Sequence, residues 1–205
     1  MLEKFYTEII YNALRMEGVN ISITSVIDLI NNIDVTNIKD IDKLTSKNFI
    51  QALSYINSLI GSEFNKYGIV EIIKTTNYYV LKSLHSYAGR IRDNFIYVSG
   101  SNYIPEAKSE FKIQNEIMDN IDDYIENPLK LYCYITRNQI FSDGNKRTAL
   151  IIVNLLLQLK DNSSYFSIPI ERKPEYDKLL IKYYESGNEE TFVECLSQFI
   201  RTTKT

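Results

Sequence analysis

The chain has 205 residues, 44% of them hydrophobic, and 23 Lys and Arg against 26 Asp and Glu give a formal charge of −3. That length supports one well-formed core, a single domain over 1–205, and leaves little for a second. The slightly acidic balance removes the electrostatic basis for non-specific nucleic-acid binding.

The opening residues, Met1-Leu2-Glu3-Lys4-Phe5, are unlike a secretory leader. The longest apolar run, Ala149 to Leu159, is interrupted by Asn154 and too short for a bilayer. The expectation is a cytoplasmic protein with neither a membrane nor a nucleic-acid partner. Cys133 and Cys195 lack metal-ligand spacing and read as reduced thiols on helices rather than a disulfide.

Apolar periodicity predicts helices at about 1–16, 23–32, 46–60, 69–87, 107–126, 128–139, 145–160, 174–186 and 189–201, an all-α class. Ser22 is placed to cap the second of these, Asn127-Pro128 to start the sixth, and Gly187-Asn188 to separate the last two. Asn31 to Leu44 reads as one long polar surface connection. Between residues 92 and 105 the β-branched and aromatic runs Ile96-Tyr97-Val98 and Tyr103-Ile104 flank Ser99-Gly100-Ser101-Asn102, which predicts a small β-hairpin. An isolated hairpin in a helical chain is either decoration or a platform for an extended peptide.

The densest chemistry lies at Phe141-Ser142-Asp143-Gly144-Asn145-Lys146-Arg147. The run that follows is apolar on nearly every face, so its helix is buried and begins inside the protein. A helix start carries about +0.5 charge and unpaired N–H groups, so Lys146 and Arg147 are unfavourable there by a few tenths to ~1 kcal/mol each. An anion at the helix end resolves this, with Gly144 allowing close backbone approach. Asp143 is then suited to Mg²⁺, which accompanies nucleotide phosphates. The ordinary alternative is a capped loop-to-helix junction with its cations in solvent. His85, the one imidazole, lies late in a predicted helix and reads as a locally bonded residue rather than a displaced base.

The same segment resembles the signature of the Fic/Doc family, His-x-Phe-x-Asp/Glu-Gly-Asn-Gly/Lys-Arg, with Phe141, Asp143, Gly144, Asn145, Lys146 and Arg147 in register over a motif loop at 139–147. Gln139 stands where the family has its catalytic histidine, and Leu150 where many AMP-transferring members have a second arginine. The Doc-like branch also writes Asn-Lys-Arg and lacks that arginine. Residues 1–18, with Glu17-Gly18, resemble the family's inhibitory segment, although Ala13 replaces its hydroxyl residue. Residues 92–105 resemble its target-docking flap.

The resemblance implies a Fic-type helical domain with a hairpin flap, ATP and Mg²⁺ as cofactors, and Asp143 as the metal ligand. It implies Phe141, Gly144, Asn145, Lys146 and Arg147 around the nucleotide, and Gln139, Asp143, Asn145 and Arg147 as the catalytic set. Glu17 would inhibit, through Lys146 or Arg147 since Leu150 offers no partner. Ile96, Tyr97, Val98, Tyr103 and Ile104 would dock a target protein. The resemblance also allows a homo-oligomer or a small regulatory partner.

Two readings stay open. One is a weak or non-standard protein adenylyltransferase, or a Doc-like phosphotransferase of a toxin–antitoxin system. The other is an inactive nucleotide- or partner-binding module. The amide of Gln139 orients a hydroxyl but does not take its proton, and losing a general base typically costs ~10² to 10⁴-fold.

Overall fold

The computed structural model describes residues 5–60 and 65–202, so the first four residues of the expected helix 1–16 lie outside it. Ten helices are assigned among these residues: α1 Tyr6–Met16, α2 Ile23–Ile30, α3 Asp40–Leu59, α4 Ile69–Leu81, α5 Glu110–Asp119, α6 Ile121–Glu126, α7 Pro128–Asn138, α8 Asn145–Asp161, α9 Lys173–Ser186 and α10 Glu189–Ser197. Two short strands, β1 Ser164–Phe166 and β2 Ile200–Thr202, pair antiparallel with Tyr165 opposite Arg201. None of the helices is long and apolar enough to cross a membrane.

Helix α8 is the axis of the molecule. Every residue from Arg147 to Gln158 is buried, and α3, α4, α7 and β1 pack around it. A helix that is apolar all round has to be covered all round, and the shorter helices do this. Its two interior amides reach across to the β1 backbone, although Gln158 Oε1 is left without a partner. Asn154 donates from Nδ2 to Phe166 O and accepts Phe166 N–H at Oδ1, both at 2.9 Å, and Gln158 Nε2 donates to Ser164 O at 2.7 Å. These bonds seat β1 on the core, and β2 completes the pair.

Helix α1 is equally fixed. Ile9, Ile10, Ala13 and Leu14 are buried, Tyr6 Oη donates to Leu53 O, and Asn12 bonds both Ser167 Oγ and Ile170 N–H. Its last turn, ending at Glu17, is therefore held by packing.

Several boundaries differ from the sequence reading for identifiable reasons. The polar connection after α2 is shorter than expected because α3 begins at Asp40, where Asp40 and Asp42 complement the positive helix start. Helix α4 stops at Leu81 because Asn48 of α3 donates to Lys82 O at 2.6 Å and Ser83 turns left-handed. The expected helix 107–126 is divided at Asn120. Residues 200–202 leave helix for strand to pair with β1. The expected caps are present: Ser22 Oγ accepts Ser25 N–H, Pro128 starts α7, and Gly187 and Asn188 separate α9 from α10.

The hairpin expected at 96–104 is replaced by an irregular loop. Its turn is real, with Gly100 at φ +79° and Ser101 N–H bonding Val98 O at 3.2 Å, but the flanking residues do not form a ladder. Ladder formation is limited because carbonyls of this segment point at a buried guanidinium. Arg92, 4% exposed, donates to the carbonyl oxygens of Asn94, Pro105, Glu106, Asn138 and Gln139. Pro105 also lacks an N–H to offer. The last two acceptors lie at the C-terminal end of α7, where a cation is favoured. Ile91 meets the motif only through an isolated bridge to Phe141.

Replacing Arg92 by Met should therefore lower unfolding stability by about 3 kcal/mol or more, because several buried carbonyls lose a charged donor together. Arg90, two residues away and exposed, should tolerate Ala within about 0.5 kcal/mol. Urea denaturation of both variants tests the contrast, and equal costs would show that the carbonyl cluster is not what fixes this loop.

Candidate functional site

Phe141 to Arg147 occupies the junction between α7 and α8, as its sequence suggested. Helix α7 ends at Gln139, which adopts a left-handed conformation at φ +47°. That backbone costs a non-glycine residue roughly 1–2 kcal/mol. Gln139 offsets this by returning its side chain to its own helix: Nε2 donates to Thr136 O at 2.6 Å and to Tyr184 Oη at 3.2 Å. Its Oε1 accepts from Asn145 Nδ2 at 3.0 Å. Both amide hydrogens are thus engaged, and one lone pair of Oε1 is left for a ligand. Burial pushes the pKa of Tyr184 upward, so its hydroxyl stays neutral.

Asn145 is the clamp of the loop. Its Oδ1 accepts Phe141 N–H at 2.9 Å, and Nδ2 donates to Phe141 O at 2.8 Å as well as to Gln139. Phe141, 1% exposed, anchors the loop in the core, so its role is packing. Asn77 of α4 fixes the other side by donating to Asp143 O and Thr148 Oγ1 and accepting Gly89 N–H. Asn77, Thr148 and Tyr184 were not singled out from the sequence. The available signal was Asn77, a polar residue at four-residue spacing among the apolar Ile69, Ile73 and Leu81 on one face of α4.

Gly144 caps α8 at φ +76°, and a Cβ there would lie 3.1 Å from Asn77 Nδ2 and 3.3 Å from Leu81. The first turn beyond it carries the cations. Lys146 Nζ lies 2.9 Å from Glu17 Oε1, and Glu17 Oε2 is 3.9 Å from Arg147 Nε, too far for a hydrogen bond. Arg147 is buried, donates from a terminal nitrogen to Asp143 Oδ2 at 3.2 Å, and leaves its Nε–H without an acceptor. Ala13, Met16, Leu150 and Ile168 line a slot of about 20 Å³ beside these groups, room for about one water.

Asp143 is exposed, and its Oδ1 also accepts Gly144 N–H. Among the described residues no three His, Cys, Asp or Glu side chains cluster as a metal cage. A cation at Asp143 would therefore share its coordination with phosphate and water oxygens, which suits Mg²⁺.

Glu17 thus joins the motif from the far end of the chain. Of the flap residues, Tyr97 and Ile104 are largely exposed, whereas Tyr103 lies over the Arg137 guanidinium at 4.4 Å and stacks on Tyr184, whose hydroxyl accepts from Gln139. His85 accepts Tyr87 N–H at Nδ1, a local bond of the kind its sequence position suggested.

Replacing Gly144 by Ala should cost about 1–2 kcal/mol for the left-handed backbone alone. Crowding against Asn77 and Leu81 adds to this, and chemical denaturation should show the loss. A neutral substitution would mean that the loop relaxes freely.

Residues 68–157 match the model of the Fic/DOC family. No curated protein sequence matches the chain. Its fold is similar to that of Fic-1 residues 134–508 from C. elegans, with 20% identity and a TM-score of 0.79 over 97% of this chain. The chain spans 61% of that structure. A Fic domain-containing signaling protein from Bacteroides thetaiotaomicron is 19% identical, with a TM-score of 0.72 over 96% of this chain and 83% of its own. A Fic family protein from Desulfovibrio desulfuricans is 15% identical, with a TM-score of 0.70 over 95% of this chain and 61% of its own. The chain therefore carries a Fic/DOC-family segment at residues 68–157 within the helical fold of Fic-domain proteins.

Proposed function

We propose that this protein binds a magnesium nucleotide at the start of α8 and transfers AMP slowly from ATP to a hydroxyl of a target protein. The observation that carries the reading is the buried Arg147 Nε–H without an acceptor, beside a lysine already holding a carboxylate. A buried donor left unmade costs about 1–3 kcal/mol, and a phosphate oxygen would remove that cost. The Glu17–Lys146 pair is partly solvent-exposed, and such pairs contribute only about 0–1 kcal/mol. A nucleotide that offers several charge-assisted hydrogen bonds outcompetes it.

In this reading Lys146, Arg147 and the first-turn N–H groups of α8 hold phosphate oxygens and stabilise charge as it develops. Asp143 would hold Mg²⁺, which supplies further charge neutralisation when bound. The target hydroxyl oxygen forms the new bond to the α-phosphorus, the bond to the β-phosphate oxygen breaks, and pyrophosphate leaves. Gln139 orients the hydroxyl through the remaining lone pair of Oε1, and the proton goes to solvent because no side chain at 139 accepts it. Turnover is slow for that reason, while binding is retained.

Calorimetry with MgATP should show Arg147→Ala weakening affinity by roughly 10- to 100-fold, the scale of a charged hydrogen bond. Glu17→Gln should tighten it by up to about 5-fold, the equivalent of a ~1 kcal/mol surface pair. Unchanged affinity in both variants would remove α8's first turn as the nucleotide site. Incubation with α- and γ-labelled ATP and cell lysate separates the outcomes: α label on protein means AMP transfer, γ label alone means a Doc-like phosphotransfer, and binding without either means a nucleotide-binding module.

Gln139→His should raise transfer by up to the ~10² to 10⁴-fold that a positioned base supplies. Histidine is among the residues that tolerate the left-handed backbone at this position. If the variant binds nucleotide yet labels nothing, the missing base is not the only departure from an active site.

A further inference from the structure

Next to the motif lies a groove of about 440 Å³ that neither Glu17 nor any of the nucleotide-binding groups lines. Its walls are His85, Tyr87, Arg90, Asp93 and Asn94 of the loop after α4, and Ser142 of the motif itself. The volume is that of a small-ligand pocket or of a few peptide side chains.

The charges in it are unbalanced. Arg90 is exposed, and among the described residues no carboxylate pairs with it. Arg92, which also lines it, is buried and spends its guanidinium on five backbone carbonyl oxygens, so Arg90 is the cation left to meet a ligand. His85 adds its ring, whose Nδ1 accepts Tyr87 N–H. Against these stands one carboxylate, Asp93. A groove with an exposed arginine, the His85 ring and the Ser142 hydroxyl, the last held only by a long 3.5 Å contact to Asn94 Oδ1, complements a negatively charged group.

The surroundings indicate where that group comes from. The chain leaving the groove runs through Phe95 and Tyr97, 77% and 84% exposed, and its backbone between 93 and 105 is not paired as a strand. Exposed aromatics beside unpaired extended backbone suit a peptide laid along them rather than a small free anion.

We infer that the groove formed by Arg90, His85 and Ser142 recognises an acidic side chain in an extended segment of the target protein. This rests on the reading that the chain acts on a protein, and it adds that the preferred target has Asp or Glu close to the hydroxyl. Ser142, being the residue between Phe141 and Asp143, links the groove directly to the motif. The acidic residue fixes the register in which the segment crosses the loop.

The test uses the intact protein without nucleotide and three fluorescein-labelled peptides of one Ser-Gly-Phe sequence, carrying three Glu, three Gln or three Lys. Fluorescence anisotropy at low salt should show the Glu peptide binding about 10-fold more tightly than the Gln peptide, the scale of one charge-assisted contact. Added salt should erode the difference. Arg90→Glu, an exposed change that leaves thermal stability intact, should abolish the preference and improve binding of the Lys peptide. Asp93→Asn should strengthen the Glu peptide.

Equal binding of Glu and Gln peptides, or a preference that Arg90→Glu leaves unchanged in a folded protein, overturns the inference. Competition by inorganic phosphate or MgATP that disappears in Arg90→Glu also overturns it, since the groove would then hold a free phosphate. Because no nucleotide takes part in the peptide arm, absence of labelling from ATP would count against the proposed transfer alone.

Discussion

A helix buried on every side, whose first turn carries two cations, has to be matched by an anion. The positive end of α8, Lys146 and Arg147 together place like charge at one point inside the protein, and Glu17 supplies the counter-charge. Much of the structure serves that match. Asn12, Tyr6 and the apolar face of α1 bring Glu17 to the site, and Asn77 and Asn145 fix the loop that sets the direction of α8. The contact is also incomplete, because Glu17 reaches Lys146 at hydrogen-bond distance but leaves Arg147 Nε unmet. An internal anion that fits one cation and not the other holds the helix start together and leaves one buried donor open to a further acceptor.

The difference between the strong and the weak bonds of this region follows from burial. Asn145 makes three neutral hydrogen bonds within the loop, each worth about 1 kcal/mol net and each costly to break where no water replaces it. The ion pair at Glu17 is formally stronger in charge but lies where solvent screens it. The neutral amides therefore determine the shape of the loop, and the charged groups determine its electrostatic character.

The sequence made the α8 terminus legible because a fully apolar helix cannot begin with cations without a reason. Capping residues were equally readable, since Ser22, Pro128 and Gly187 act through their own local backbone. What sequence did not reveal depends on distant partners. Helix α4 ends at Leu81 because Asn48, from another helix, takes a carbonyl at its end. The β-branched runs at 96–104 suggested a hairpin, but Arg92 draws carbonyls of Asn94, Pro105 and Glu106 inward, and a local propensity for strand gives way to a buried charge that needs acceptors. Asn77 was missed for the same reason, as nothing near it in sequence shows that Asp143 and Gly89 are its partners.

Gln139 draws these points together. At that position a side chain has two tasks, to close the end of α7 in a left-handed turn and to face whatever reacts above the motif. Glutamine performs the first through Thr136 and Tyr184, using both of its amide hydrogens. Neutral imidazole has only one N–H, so a histidine would satisfy one of these acceptors and keep its other nitrogen as a base. Glutamine at this position thus favours rigidity, where a histidine would keep one nitrogen free. Neither Lys146 and Arg147 nor the Arg90 groove relies on position 139 for its charge. Under the proposed transfer, a chain of this kind loses rate before it loses recognition.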